Sequence, residues 1–349
     1  MLKEVFLFQA LNLAYGLAMM PLTKGAMMAI RWGILGAAKF AREHMGPAIH
    51  AAKGAELAAL ATSDPQKAAG VLAFAPQCQV FDDYDALLAD PQIDAVYIPL
   101  PNHLHVPWTL RALSAGKHVL CEKPMTLAAD EFDQVIAAQE ASGKLAAEAF
   151  MIVHHPQFLR ARELVQSGAI GQLIHVDATF SYNNAGAHEN IRNRSETGGG
   201  GLPDIGVYTF GAARFVTGED CMSVPYAHIR YENDVDVFAQ VTAQFQSFTY
   251  SAIVSMRMFP RQNIVFHGSK GVLTLTCPFN ANVHDLAELR LENNGQTVVT
   301  ERWPAINQYV LQVENFCKSI VEHQPYPCPL SFSKGTQEMM DMVYAAGEE

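Results

Sequence analysis

The chain has 349 residues, half of them hydrophobic and 17% charged, with a formal charge of −11. This composition excludes disorder and leaves room for two domains with sizeable cores, while the negative charge argues against any nucleic-acid partner. Six scattered cysteines without a C-x-x-C pair read as reduced thiols of a cytoplasmic protein.

Residues 1–28 hold a mostly apolar run from Val5 to Leu22, interrupted by Gln9 and Asn12 and ended by Pro21. A membrane span needs about 20 apolar residues with few breaks, so no membrane association is expected. Lys3 is offset by Glu4 and no small-x-small cleavage site follows, which weakens a signal-peptide reading; were it one, the protein would be periplasmic. The segment is read as an extension of doubtful status ahead of a start at Met27 or Met28.

From Ala29 short apolar strands alternate with helical stretches. Strands are expected at 29–35, 56–62, 79–81, 95–99, 118–121 and 145–150. Helices are expected to about His50, from Pro65, over His105–Ala115 and over Leu127–Ser142, the last capped by Thr126 and stopped by Gly143. Near-continuous apolar strands alternating with helices predict a doubly wound parallel sheet over 29–150. Residues 151–349 read as a second, α+β domain. There Val235, Val237, Ala239, Val241, Ala243 and Phe245 alternate with other residues, the period of a strand covered on one face. A short terminal helix is expected over 336–346.

The first strand–helix turn reads Gly36-Ala37-Ala38-Lys39-Phe40-Ala41, a G-x-G-x-x-G/A fingerprint with alanine at its second and third glycine positions. Glycine permits the tight turn, and a small residue lets the backbone approach a pyrophosphate at the helix N-terminus. The second strand ends in Thr62-Ser63-Asp64 rather than an acidic tip. Two hydroxyls, with Lys39 or Lys67 as counter-charges, lean toward NADP over NAD. Asp64, beside Pro65, reads equally well as a helix cap.

Two further stretches stand together: YIPLPNHLHVPWTLRALSAGKHVLCEKPMTL (97–127) and GGGGLPDIGVYTFGAARFVTG (198–218). The first sets Pro101-Asn102 just past the fourth strand and Glu122-Lys123-Pro124 just past the fifth. Both lie at the carboxyl edge of the sheet, where doubly wound folds bind ligands. With NQYVLQVENF (307–316), these motifs resemble the glucose–fructose oxidoreductase/inositol dehydrogenase (Gfo/Idh/MocA) family over nearly the whole chain from Ile30. The resemblance implies a Rossmann domain followed by an α+β domain with a large, open, mostly antiparallel sheet. It also implies hydride transfer between nicotinamide and a cyclic sugar, polyol or diol.

In the family the lysine of E-K-P lies beside the nicotinamide ribose and the reacting oxygen, and its proline is often cis. Those roles map onto Lys123 and Pro124, and the family's D-x-x-x-H/Y pair maps onto Asp204 and Tyr208. Tyrosine rather than histidine places the chain nearer the glucose–fructose oxidoreductase and dimeric dihydrodiol dehydrogenase branches. The expected cofactor set is Gly36, Ala37, Ala38, Lys39, Phe40, Thr62, Ser63, Leu100, Pro101, Asn102, His105, Glu122 and Lys123.

The residue chemistry agrees. Asp204 and Tyr208 are four apart and share a helical face. A free tyrosine titrates near 10, so Lys123 is expected to lower its pKa and orient the oxygen while Tyr208 exchanges the proton. Asp204 would position substrate hydroxyls or the lysine. Taken singly, such a tyrosine is ordinarily core and such a Glu-Lys pair ordinarily a solvated turn; their joint placement reverses both readings. Asn190, Arg192 and His155 are the expected substrate contacts. His103 and His105 lack a third ligand, and adjacent His154 and His155 diverge, so no metal site is expected. A one-faced sheet also wants a partner, predicting a homodimer or homotetramer. Two alternatives remain: an NAD-dependent glycosidase on the same fold, and a non-catalytic dinucleotide sensor.

Overall fold

The computed structural model describes residues 29–293 and 297–347; the expectations for residues 1–28 lie outside them. Six parallel strands form one sheet in the order β3-β2-β1-β4-β5-β6. They are β1 (Ile30–Leu35), β2 (Ala55–Ala61), β3 (Gln79–Phe81), β4 (Ala95–Ile98), β5 (His118–Cys121) and β6 (Ala146–Glu148). All six fall within the expected segments to a residue or two. Trp32, Ile34, Leu57, Leu60, Tyr97, Val119 and Leu120 are fully buried. Helices cover both faces, which is why these strands tolerate unbroken apolar runs. The order reverses between β1 and β4, so the cleft opens where their carboxyl ends part.

The second sheet has eight strands in the order β14-β13-β12-β11-β7-β10-β9-β8. Its central pair, β7 (Leu173–Asn183) and β10 (Thr249–Ser255), is parallel, and every other neighbouring pair is antiparallel. In β9 (Val235–Phe245) every odd-numbered residue is buried, while of the even-numbered ones Asp236 is buried, Phe238 half-buried and Gln240, Thr242 and Gln244 exposed.

The last helices return toward the first domain. Gln308–Glu322 packs its Phe316 against Trp32 of β1, ring centroids 5.1 Å apart. The helix Leu330–Gly347 is longer than the expected 336–346, because it starts directly after Pro329. A second boundary needs correction. The sixth-strand approach begins with a helix at Glu131, not Leu127, and Thr126 is no cap: its buried hydroxyl has no partner. Instead the Glu131 carboxylate accepts from the Leu127 and Ala128 backbone amides, so an acid inside the first turn does the capping. Gly143 ends the helix at φ +63°, as expected.

All six cysteines are free thiols. Among the described residues no helix is long and apolar enough to cross a membrane.

Trp32 and Phe316 are both fully buried and join the two halves of the chain. Phe316→Ala is expected to lower the unfolding free energy by about 3–5 kcal/mol, measured by urea denaturation.

Candidate active site

The carboxyl edge of the first sheet opens into a cavity of about 810 Å³. It is lined by the first β–α turn with His44 beyond it, the ends of β4 and β5, the 189–208 segment, β7, β11 (Arg257–Gly268), the loop after β12 (Gly271–Thr276), and Tyr309 of the helix Gln308–Glu322. Of the residues singled out from the sequence, Ala38, Lys39, Phe40, Leu100, Asn102, His105, Glu122, Lys123, Asn190, Arg192, Asp204 and Tyr208 line it, whereas Gly36, Ala37 and Pro101 do not.

Gly36 sits at φ +104°, a backbone conformation that side chains rarely adopt. A Cβ there would also press on Leu100 and on the Tyr84 hydroxyl, each at 3.1 Å. The turn thus keeps a bare backbone facing the start of a helix, a cradle suited to a pyrophosphate. This fits a dinucleotide, which the turn, the β2 tip and the β4 and β5 ends would hold.

The β5 strand delivers the motif Glu122-Lys123-Pro124, with a cis bond before Pro124. The Lys123 ammonium donates to the Asp204 carbonyl at 2.5 Å and to Asp204 Oδ1 at 3.0 Å. Arg192 Nε lies 2.7 Å from the same Oδ1, and the Tyr182 hydroxyl donates to Oδ2 at 2.6 Å. Asp204 is only 8% exposed. Burial pushes its carboxyl up, but Arg192, Lys123 and the Tyr182 hydroxyl outweigh that and hold it well below the usual carboxylate range. It is therefore an anion throughout the neutral range.

Asp204 lies in a π-helical turn, Leu202–Gly206, that runs into the helix Val207–Thr217. The wider turn replaces the simple α spacing expected between Asp204 and Tyr208, yet both still face the cavity. The loop ahead of it is held by Asp236, whose carboxylate accepts from the Leu202 amide at 2.6 Å and packs so tightly on Gly200 that no Cβ would fit.

One expectation is corrected here. Lys123 does not meet the Tyr208 hydroxyl; its ammonium lies over the ring, 4.9 Å from the centroid. The hydroxyl contacts Met151 Sδ at 3.5 Å instead. Burial, and then the Glu122 carboxylate, push the Tyr208 phenol well above its ordinary value, so it stays protonated rather than being drawn toward phenolate. The reason is competition: Asp204 offers the lysine both a carboxylate and a carbonyl, stronger partners than a phenol.

Glu122 is tied down by its neighbours. It accepts from the Tyr97 hydroxyl at 2.6 Å and from the Lys123 amide at 3.3 Å. Burial raises its pKa, partly offset by Lys123 and Tyr97. Asn102 donates to the Gly198 carbonyl at 2.8 Å, joining the β4 loop to the glycine-rich segment.

His155 is a second correction. It lies outside the cavity wall, fully buried, where its Nδ1 accepts from the Gln157 amide and caps the helix Pro156–Gln166. Its neighbour His154 is bonded to Tyr326 and Asn315. A His-Pro pair at a helix start is a capping signal, and that reading outweighs a pocket role. Thr62 and Ser63 stand at the β2 tip, also outside this cavity; Thr62 Oγ1 accepts from the Asp64 amide. Asp64 caps the next helix through the Gln66 and Lys67 amides. Asn190 faces the cavity while its side chain caps the Arg192 amide at 3.0 Å.

Sequence reasoning missed Tyr182, Tyr309, Gln262, Asn280 and His284, which also bear on this site. Tyr309 lies inside NQYVLQVENF, a usable signal; the others come from strands and a loop without a motif. Among the described residues no group of three or more metal-ligating side chains converges.

A family model described as an oxidoreductase family with NAD-binding Rossmann fold matches residues 30–150, and the GFO/IDH/MocA C-terminal domain matches residues 158–274. The NADP-dependent D-xylose 1-dehydrogenase 2 of Haloferax volcanii is 32% identical over 91% of this chain and 97% of its own. The dTDP-3,4-didehydro-2,6-dideoxy-alpha-D-glucose 3-reductase of Saccharopolyspora spinosa is 35% identical over 83% and 87%. The 3-ketoreductase KijD10 of Actinomadura kijaniata, solved with NADP and TDP-benzene, superposes with a TM-score of 0.84 at 29% identity, covering 91% and 98%. Forms of that enzyme with one lysine or one tyrosine replaced are also solved.

His105 generates a pH prediction. Its ring nitrogens face the carbonyls of Pro124 at 2.7 Å and Leu100 at 2.8 Å, yet a neutral ring can donate to only one. Burial lowers its pKa to about 4, the two carbonyls opposing and Lys123 assisting. Because the folded value lies below the unfolded one, its stabilising contribution is complete above about pH 6.5 and is lost as pH falls toward 4. Nitrogen-15 spectra of labelled histidine should show this ring neutral from pH 8 down to about 5.

Proposed function

We propose that this chain, which belongs to the Gfo/Idh/MocA oxidoreductase family, is an NAD(P)-dependent enzyme that transfers a hydride between nicotinamide and a carbinol or carbonyl carbon of a sugar, polyol or diol. The observation that carries this is the meeting of Lys123, Asp204 and Tyr208 at one cavity on the carboxyl edge of the six-stranded sheet.

The bound coenzyme supplies or takes up the hydride. The chain's own residues handle the oxygen. A phenol kept protonated by burial is suited to donating, so Tyr208 serves as general acid when a carbonyl is reduced and receives the proton in the reverse direction. Lys123 supplies positive charge where the alkoxide develops. Asp204 positions Lys123, and Arg192 shares the same carboxylate. The lysine and tyrosine replacements made in the related ketoreductase support attention to this pair.

The Thr62-Ser63 tip, with Lys39 and Lys67 nearby in sequence, favours NADP, as do the NADP-linked relatives. The outer face of the eight-stranded sheet is the proposed homodimer or homotetramer contact, and the free thiols suit a cytoplasmic protein.

The test is turnover of a panel of sugars, polyols and diols, followed at the reduced-nicotinamide absorbance band. Lys123→Met and Tyr208→Phe are each expected to lower kcat by about 10²–10⁴-fold while coenzyme fluorescence titration still reports binding. Wild-type rates in both variants would sink the mechanism. Ser63→Asp is expected to shift coenzyme preference toward NADH by about tenfold, read as a ratio of kcat/KM values.

A further inference from the structure

We infer that the substrate is a free, uncharged sugar, its distal hydroxyls met by Gln262 and Asn280, and that nucleoside-diphosphate sugars are rejected. This rests on the oxidoreductase reading of the same cavity. The relatives themselves divide on the point: one takes its name from a free sugar and another from a dTDP-sugar.

Charge on the cavity wall separates the two classes. A diphosphate carries at least two negative charges, and a partly enclosed site must supply cations or unpaired backbone amides to replace the water it loses. The lining amides of Gly199 and Gly200 are already spent on the Arg194 and Arg192 carbonyls. Beyond the cofactor turn, the lysines and arginines that line the cavity among the described residues are Lys123 and Arg192, and both are committed to Asp204. Three carboxylates face them, those of Glu122, Asp204 and Glu189. Even with Glu122 protonated, and with the lining His44 and His284 counted as neutral at pH 7, the charges of Lys123 and Arg192 are matched by those of Asp204 and Glu189. Lys39 belongs to the cofactor turn, where it pairs with Glu43 at 3.9 Å. Nearby guanidiniums are taken: Arg194 by Glu196 and Arg257 by Glu232. Arg261 falls between Pro260 and Gln262, so strand alternation turns it to the opposite face, where it bonds Asn263 at 3.1 Å.

Neutral groups complete the wall. Gln262 Oε1 accepts from the Asn280 amide at 3.1 Å, which leaves its Nε2 as a donor toward a hydroxyl. Asn280 adds a carboxamide that can both donate and accept. The loop that carries Asn280 is fixed in advance. Cys277 Sγ lies 3.3 Å from the Asn280 carbonyl and 3.2 Å from the Asp285 amide, and Asn282 Nδ2 donates to the Ile306 carbonyl at 2.7 Å. A wall of pre-set, uncharged donors and acceptors suits hydroxyls and offers little to phosphates.

The test uses the NADP-loaded full chain. Thymidine 5′-diphosphate titrated by calorimetry is expected to give no binding at millimolar concentration and to leave the KM for D-xylose and D-glucose unchanged. Gln262→Ala and Asn280→Ala are each expected to raise the sugar KM by about three- to tenfold, more than they lower kcat, with an unchanged melting temperature. Competitive inhibition by the diphosphate, or a higher kcat/KM for dTDP-glucose than for the free sugars, overturns the inference and leaves the oxidoreductase reading standing. An unchanged KM in both folded variants overturns the assignment of the two amides. Coenzyme binding without turnover of either class overturns both readings.

Discussion

One buried carboxylate ties the molecule together. Asp204 stands in the second domain and receives Lys123 from the first, while Arg192 and Tyr182 reach it from its own side. An anion so enclosed survives only because its oxygens are filled by charge-assisted bonds. Removing one partner of such a group ordinarily costs about 3–5 kcal/mol, so the pairing constrains how the two sheets face each other. The cavity is the space this contact leaves open at the sheet edge.

That constraint also divides labour among the polar groups. Because Asp204 holds the lysine, the ammonium meets only the Tyr208 ring, and the hydroxyl keeps its proton in an apolar, aromatic setting beside Phe150, Phe180 and Phe279. Because Tyr97 and the Lys123 amide hold Glu122, that carboxylate does not compete with Asp204 for the lysine ammonium. The wall opposite is built from neutral amides and a loop clasped by Cys277, so charge is concentrated at the reacting end. The same segregation that suits proton transfer disfavours a second anionic group on the substrate.

Much of this was legible in the residues themselves. The strands of the first sheet, the Gly36 turn, the helix stop at Gly143 and the placement of Lys123 at a strand end all follow from local patterns that tertiary contacts reinforce. The failures are equally local in origin. Thr126 looked like a cap, but Glu131 reaches back to the same amides. His155 looked like a pocket residue, but the proline after it begins a helix that needs its ring. Tyr182 carried no signal, since a tyrosine within a strand gives no hint that its hydroxyl meets an aspartate 22 residues on.

By itself, the sequence determined which elements form and which side chains arrive at the sheet edge, because strand period, glycine conformation and the Glu-Lys-Pro motif are properties of neighbouring residues. Only the tertiary structure decided which of those side chains pair. Lys123 and Asp204 are 81 residues apart, and the choice of aspartate over tyrosine as the lysine's partner depends on distances and burial that arise when the two domains close on each other.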